Sequence, residues 1–163
     1  MRRRDFVAMV GAAALASPTL TQAQQRVTPA IGFLSGSSFR GAHAVDLDGL
    51  RQGLMEGGYI EGRTVIIEYG FADGHFDRLS ALASDLISRR VAVIATVTLP
   101  AAMAAKAATP TIPVVFVIGE DPVKAGLVAS LNRSGGNATG VTSSTSSVRS
   151  GWNLFGKLCQ GLH

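Results

Sequence analysis

The sequence predicts an α/β fold, a doubly wound parallel sheet with strand order 2-1-3-4-5. Three observations carry this prediction. Short apolar runs alternate with stretches whose large apolar residues recur at helical spacing. The runs at 91–97 and 112–118 are apolar almost throughout, as strands buried on both faces are. Many glycines stand where a strand hands over to a helix.

The elements follow in order. Residues 29–34 are a short apolar run, and Ser35-Gly-Ser-Ser38 after them reads as a loop. Leu47, Leu50, Leu54 and Met55 fall on one face of a helix. Gly57-Gly58 ends it, with Tyr59 placed to fold back as the apolar contact of a C-cap. Thr64-Val-Ile-Ile-Glu-Tyr69 is β-branched and reads as the second strand. Leu79, Leu82, Leu86 and Ile87 mark a second helix, followed by the apolar strand at 91–97. Thr98 is placed to cap an Ala-rich helix reaching Ala108, with Pro100 in its first turn. After the strand at 112–118, Asp121-Pro122 opens a predicted fourth helix with Val123, Leu127, Val128 and Leu131 inward and Gly135-Gly136 at its end. Thr139-Gly-Val-Thr142 reads as a fifth short strand. Right-handed crossovers then cover both faces of one parallel sheet.

The chain has 163 residues, 47% apolar and 16% charged, which suits one globular domain. Residues 1–23 have the three regions of an export signal. Arg2, Arg3 and Arg4 precede the apolar run from Phe6 to Ala16, and a small-residue site follows at Thr21-Gln22-Ala23. That run is too short to span a bilayer, which takes ~20 helical residues. Paired arginines with Phe6 close behind resemble a twin-arginine signal, so the expected mature chain starts near Gln24 and works in the periplasm. The net charge of +4 falls to +2 without Arg2, Arg3, Arg4 and Asp5. No basic helix or aromatic platform points to nucleic acid.

In a sheet of this kind, ligands sit beyond the carboxyl ends of the strands. The loops to watch are 35–38, 72–75, 98–100 and 119–121. Ser35 and Ser37 bring hydroxyls that suit a carboxylate or another polar group; the alternative is that they only cap the first helix. Thr98 and Asp121 have capping as their competing explanation. Glu120 has none, and suits a ligand amine or faces water. Ser35, Ser37, Thr98, Glu120 and Asp121 are therefore the candidate ligand-binding residues. Phe39 and Phe71 are the nearest aromatic candidates for stacking.

Catalytic chemistry finds no support. His43, His75 and His163 share no metal-ligand spacing, and Cys159 is the single thiol. Phosphate-loop, dinucleotide and nucleophile-elbow motifs do not occur. No nucleophile stands with a base, so no catalytic residue, metal or cofactor is expected.

Four stretches carry a family likeness: IGFLSGSS (31–38), LRQGLMEGGYIEGRTVIIEY (50–69), FDRLSALASDLISRRVAVIAT (76–96) and the segment 104–142. In their order and spacing the chain resembles the ABC transporter substrate-binding proteins of the tryptophan/tyrosine-binding group. Asp121-Pro122-Val123 and Gly135-Gly136-Asn137 with Thr139-Gly140 are the most specific part. The resemblance implies a type I periplasmic-binding fold with flavodoxin-like strand order, a two-lobed clamp and no enzyme activity. It implies a small, amino-acid-like solute delivered to an ABC permease in the inner membrane, with ATP hydrolysed by a separate subunit. It also implies that residues 24–142 are the N-terminal lobe and that a second lobe of similar fold follows in the family.

After Thr142 the pattern departs. Where the family continues with a helix of the type LELLRELVPG, this chain has GWNLFGKLCQG, so 143–163 is expected to be an aberrant tail from a frameshift or truncated gene. One lobe alone is expected to bind weakly or not at all. The competing expectation is an extracytoplasmic ligand-sensing domain of the same fold.

Overall fold

The computed structural model describes residues 28–39, 44–130, 136–142 and Trp152. The expected leader at 1–23, His43, Leu131, Gly135 and the tail at 143–163 apart from Trp152 lie outside the described residues.

The elements run β1 (Ala30–Ser35), α1 (Ala44–Glu56), β2 (Ile66–Phe71), a 3-10 turn (Phe76–Arg78), α2 (Leu79–Ser88), β3 (Val93–Thr96), α3 (Leu99–Ala108), β4 (Val114–Ile118) and β5 (Ala138–Thr142). The sheet has the predicted order, β2-β1-β3-β4-β5, and every pairing is parallel. Side chains alternate across it. Leu34, Ile94, Val114, Phe116 and Ile118 pack on the α2–α3 side with Leu79, Leu86, Ala101, Ala102 and Ala105. Ile31, Phe33, Ile67, Val93, Ala95, Val115 and Val117 point to the α1 side, against Leu47, Leu50 and Leu54. All residues of β3 and β4 are buried, as their unbroken apolar runs require.

Helix α1 ends as its sequence predicts. Gly58 takes φ +85, a region open to glycine at no steric cost. The Gly58 amide donates to the Met55 carbonyl (3.0 Å) and the Tyr59 amide to that of Leu54 (2.8 Å), closing a Schellman motif with Tyr59 buried.

The predicted fourth helix does not form among the described residues. Asp121 does cap the turn, its Oδ1 accepting from the amides of Val123 (2.9 Å) and Lys124 (3.2 Å). The turn then stops, because Gly126 swings to φ +74 and the Pro122 carbonyl accepts from both Leu127 (2.8 Å) and Val128 (3.2 Å). Lys106 Nζ donates to the carbonyls of Gly126 (3.1 Å) and Leu127 (2.8 Å), satisfying acceptors that a helix would have used. Leu127 and Val128 are buried as expected, but Val123 is exposed.

Two motif residues after that turn have structural work. Asn137 Nδ2 donates to the carbonyls of Thr109 and Ile112, both at 2.7 Å, and so ties the entrance of β5 to that of β4. Gly140 lies opposite Phe116, where a Cβ would overlap the Phe116 carbonyl oxygen.

Trp152 is fully buried on the α1 side of the sheet. It rests on Gly49 and Gly53, which share one face of α1 at a spacing of four. A Cβ on Gly49 would stand 2.6 Å from the indole Cδ1, and one on Gly53 would overlap the Trp152 carbonyl. Only bare backbone lets the Trp152 segment come this close.

Strand β2 forms one edge of the sheet, and charge lies along it. Arg89 pairs with Glu68 and with Asp85, both at 2.9 Å. Arg51 Nε donates to Glu61 (2.8 Å), Arg51 Nη2 donates to the Tyr69 hydroxyl (3.1 Å), and that hydroxyl donates to Glu61 (2.7 Å). Burial, then the hydrogen bond to Glu61, pushes the Tyr69 phenol up to about 12. Burial works the other way on Glu61, yet bonds from Tyr69 and Arg51 hold its carboxyl below the ordinary range. The folded phenol keeps its proton more tightly than the unfolded one. The stability it contributes is therefore fully present below about pH 10 and declines as pH rises toward about 12. Thermal denaturation across that window should show a falling midpoint, and Tyr69→Phe should flatten the slope.

Candidate functional site

The strand order reverses between β1 and β3: the chain leaves β1 for β2 on one side and returns to β3 on the other. Loops that diverge at such a point open a crevice at the carboxyl ends of the strands. Ser35, Ser37 and Thr98 stand there.

Ser35 is the last residue of β1 and is buried. Its Oγ accepts from the Ser37 amide (3.2 Å), a local turn that fixes the start of the loop. Thr98 occupies the N-cap position of α3, as predicted, but its hydroxyl makes no capping bond. Instead Thr98 Oγ1 accepts from the Gly36 amide (3.3 Å), tying the β1 and β3 loops together. The loop after β2 joins the same assembly. The amides of Ala72, Asp73 and Gly74 donate to the carbonyls of Ser35 (3.0 Å), Ser37 (3.3 Å) and Gly36 (2.8 Å). Asp73 and Gly74 take φ of 53 and 82 to make that reversal. Three loops thus form one hydrogen-bonded rim.

Glu120 and Asp121 follow β4, one strand further on, and both are exposed. Asp121 spends Oδ1 on the turn, and Oδ2 has no hydrogen bond among the described residues. The Glu120 carboxylate has no hydrogen bond among the described residues. The structure links Ser35 to Ser37 and Thr98 to Gly36 between them, while Glu120 and Asp121 follow the neighbouring strand β4 with no bond to that group among the described residues.

Phe39 and Phe71, the sequence's stacking candidates, belong to an aromatic cluster on the α1 side. Phe39 meets Phe71 edge-on at 5.5 Å, and Phe71 stacks on Tyr69 at 5.9 Å. Sequence reasoning missed Phe76. It is 57% exposed, and its ring lies over Gly36 beside Thr98. The available signal was a large aromatic directly after the glycine loop of β2. A separate cavity of about 370 Å³ is lined by Lys106, Val123, Leu127 and Ala138. Lys106 is in the last turn of α3 and Ala138 opens β5, so this cavity lies toward the amino ends of the strands, away from the crevice. Among the described residues no cluster of His, Cys, Asp or Glu suits a metal ion, and no helix is long and apolar enough to cross a membrane.

Comparison with known proteins places the fold among relatives. The chain is 34% identical over 94 residues to a tyrosine-binding protein of Clostridioides difficile, covering 58% of this chain and 27% of that one. An ABC domain from Streptococcus pneumonia, solved in complex with L-Trp, superimposes with TM-score 0.65 at 29% identity, over 71% of this chain and 38% of the other. The ligand-free, open structure of a Clostridium difficile substrate binding protein with adhesive properties gives TM-score 0.65 at 27% identity, over 72% and 40%. The chain thus spans well under half the length of these relatives. The family model for the ABC transporter substrate binding protein matches residues 31–159, a stretch that runs past β5 and includes Trp152. With most of its length matched, the chain belongs to the ABC transporter substrate binding protein family.

Proposed function

We propose that this chain binds an amino acid in the crevice at the carboxyl ends of β1, β3 and β4, as the solute-binding component of an ABC importer and without catalysing a reaction. The observation that carries this reading is the pairing of opposite chemistries on adjacent loops. The hydroxyls of Ser37 and Thr98, with the N-terminus of α3, suit a carboxylate. The exposed carboxylates of Glu120 and Asp121 suit an ammonium group. Ser35 shapes the loop through its bond to the Ser37 amide. The relatives named for tyrosine and solved with L-Trp support an amino acid as the solute. The arginine-rich leader supports export, with a twin-arginine route to the periplasm and delivery to a permease there.

Small ligands held in pockets lose ~70–90% of their surface to the protein. The described lobe covers a ligand from one side, so affinity for this chain alone is low. Titration of the full chain with L-Trp and L-Tyr, followed by NMR chemical shifts, tests the reading. Shifts at the 35–38, 98–100 and 119–121 loops at millimolar ligand are expected. Asp121→Asn keeps the capping oxygen and should weaken amino-acid binding roughly tenfold or more, through loss of a charge-assisted hydrogen bond. No shift with any amino acid overturns the reading, and micromolar affinity contradicts the one-sided site.

A further inference from the structure

Phe76 stands out beside the crevice for its exposure. It is a large apolar residue, 57% exposed, at the start of the 3-10 turn that leads into α2. Its ring is not stacked on another aromatic among the described residues. Phe39 is comparably exposed at 59%, but it leans on Phe71 and Tyr69 and belongs to their cluster.

The Phe76 ring lies beside Gly36 and Thr98. A Cβ built on Gly36 would stand 2.6 Å from Phe76 Cε1 and 3.2 Å from Thr98 Oγ1. The ring edge and the hydroxyl therefore lie within about 6 Å of each other over the same glycine. The backbone beneath is held by the bonds that join the 72–74 amides to the β1 loop. Thr98 uses its oxygen as an acceptor for Gly36, which leaves its proton to donate. An amino acid whose carboxylate meets that proton carries its side chain two or three bonds away, over the Phe76 ring.

We propose that Phe76 sets the selectivity of the crevice, stacking on planar ligand side chains and so favouring aromatic over branched aliphatic amino acids. This rests on the amino-acid reading above. The absence of a side chain at Gly36 is what lets the ring edge come this close to the polar subsite.

The test compares L-Trp and L-Leu in NMR titrations of the full chain. Phe76→Ala should weaken L-Trp binding roughly 2- to 12-fold, the range of an aromatic pair, and change L-Leu binding by less than about twofold. Phe76→Tyr should keep the preference. Gly36→Ala should lower it without removing the ring, because the new methyl displaces the exposed Phe76 side chain. Equal loss for both ligands in Phe76→Ala, or no loss for either, overturns the proposal while leaving amino-acid binding standing. Failure of the unaltered chain to bind either ligand overturns the amino-acid reading, and the selectivity assignment falls with it.

Discussion

Trp152→Ala should lower the stability of the chain by about 3–5 kcal/mol, the range for removing a large aromatic from a packed core. The indole is fully buried, seated on Gly49 and Gly53 and 6.4 Å from the Phe33 ring. Its removal opens a cavity that bare glycine backbone cannot fill. Denaturant unfolding followed by circular dichroism measures the loss. Trp152 is the single tryptophan, so its emission in the unaltered chain is an independent check. Blue-shifted emission that moves red on unfolding is expected. A loss under about 1 kcal/mol, or a solvent-like emission spectrum, would mean that the indole does not dock on α1. Gly53→Ala approaches the same contact from the other side. Its Cβ meets the Trp152 carbonyl, which cannot rotate away, and overpacking of this kind costs about 1–3 kcal/mol.

Phe33→Ala should be comparably damaging, at about 3–5 kcal/mol. Phe33 lies on β1 near the middle of the sheet and is fully buried. Its ring joins Phe71 (5.8 Å), Tyr69 (6.2 Å) and Trp152 (6.4 Å). Phe33→Leu keeps most of the volume and should cost under about 1.5 kcal/mol. Because Phe33 and Trp152 share one contact, their alanine variants should not add. A coupling of about 0.5–3 kcal/mol in a double-mutant cycle is expected. Strict additivity would place the two rings in separate environments.

Much of the fold was legible in the residues. Apolar runs at 91–97 and 112–118 have one physical solution in a chain of this size, a strand covered on both sides, and they became β3 and β4. The end of α1 was equally plain, since Gly58 and Tyr59 act locally. The fourth helix misled because Asp121-Pro122 is a good helix opening and Leu127 and Val128 are truly buried. A single capped turn satisfies the same residues, and the choice was made by Gly126 and by Lys106, twenty positions earlier. The role of Trp152 was illegible for a related reason. Its partners lie about a hundred positions away, and the one local hint was a pair of glycines inside α1, each weakening the helix by ~1 kcal/mol unless something needs the space. At the crevice, topology placed the β1 and β3 loops at the reversal of strand order, as the structure has them. The use of the Thr98 hydroxyl, on Gly36 and not on its own helix, depends on how closely β1 and β3 lie, which spacing along the chain does not reveal.

The two margins of the sheet differ in a way that bears on assembly. An open sheet offers unpaired backbone groups at both sides, and either side can recruit a foreign strand. Near β2 stand the ion pairs of Glu68 with Arg89 and of Glu61 with Arg51. Strand β5, Ala138–Thr142, carries no charge at all, and among the described residues nothing pairs with its outer side. Among the described residues the two edges of this sheet therefore differ in charge: an added strand would meet ion pairs beside β2 and an uncharged strand beside β5.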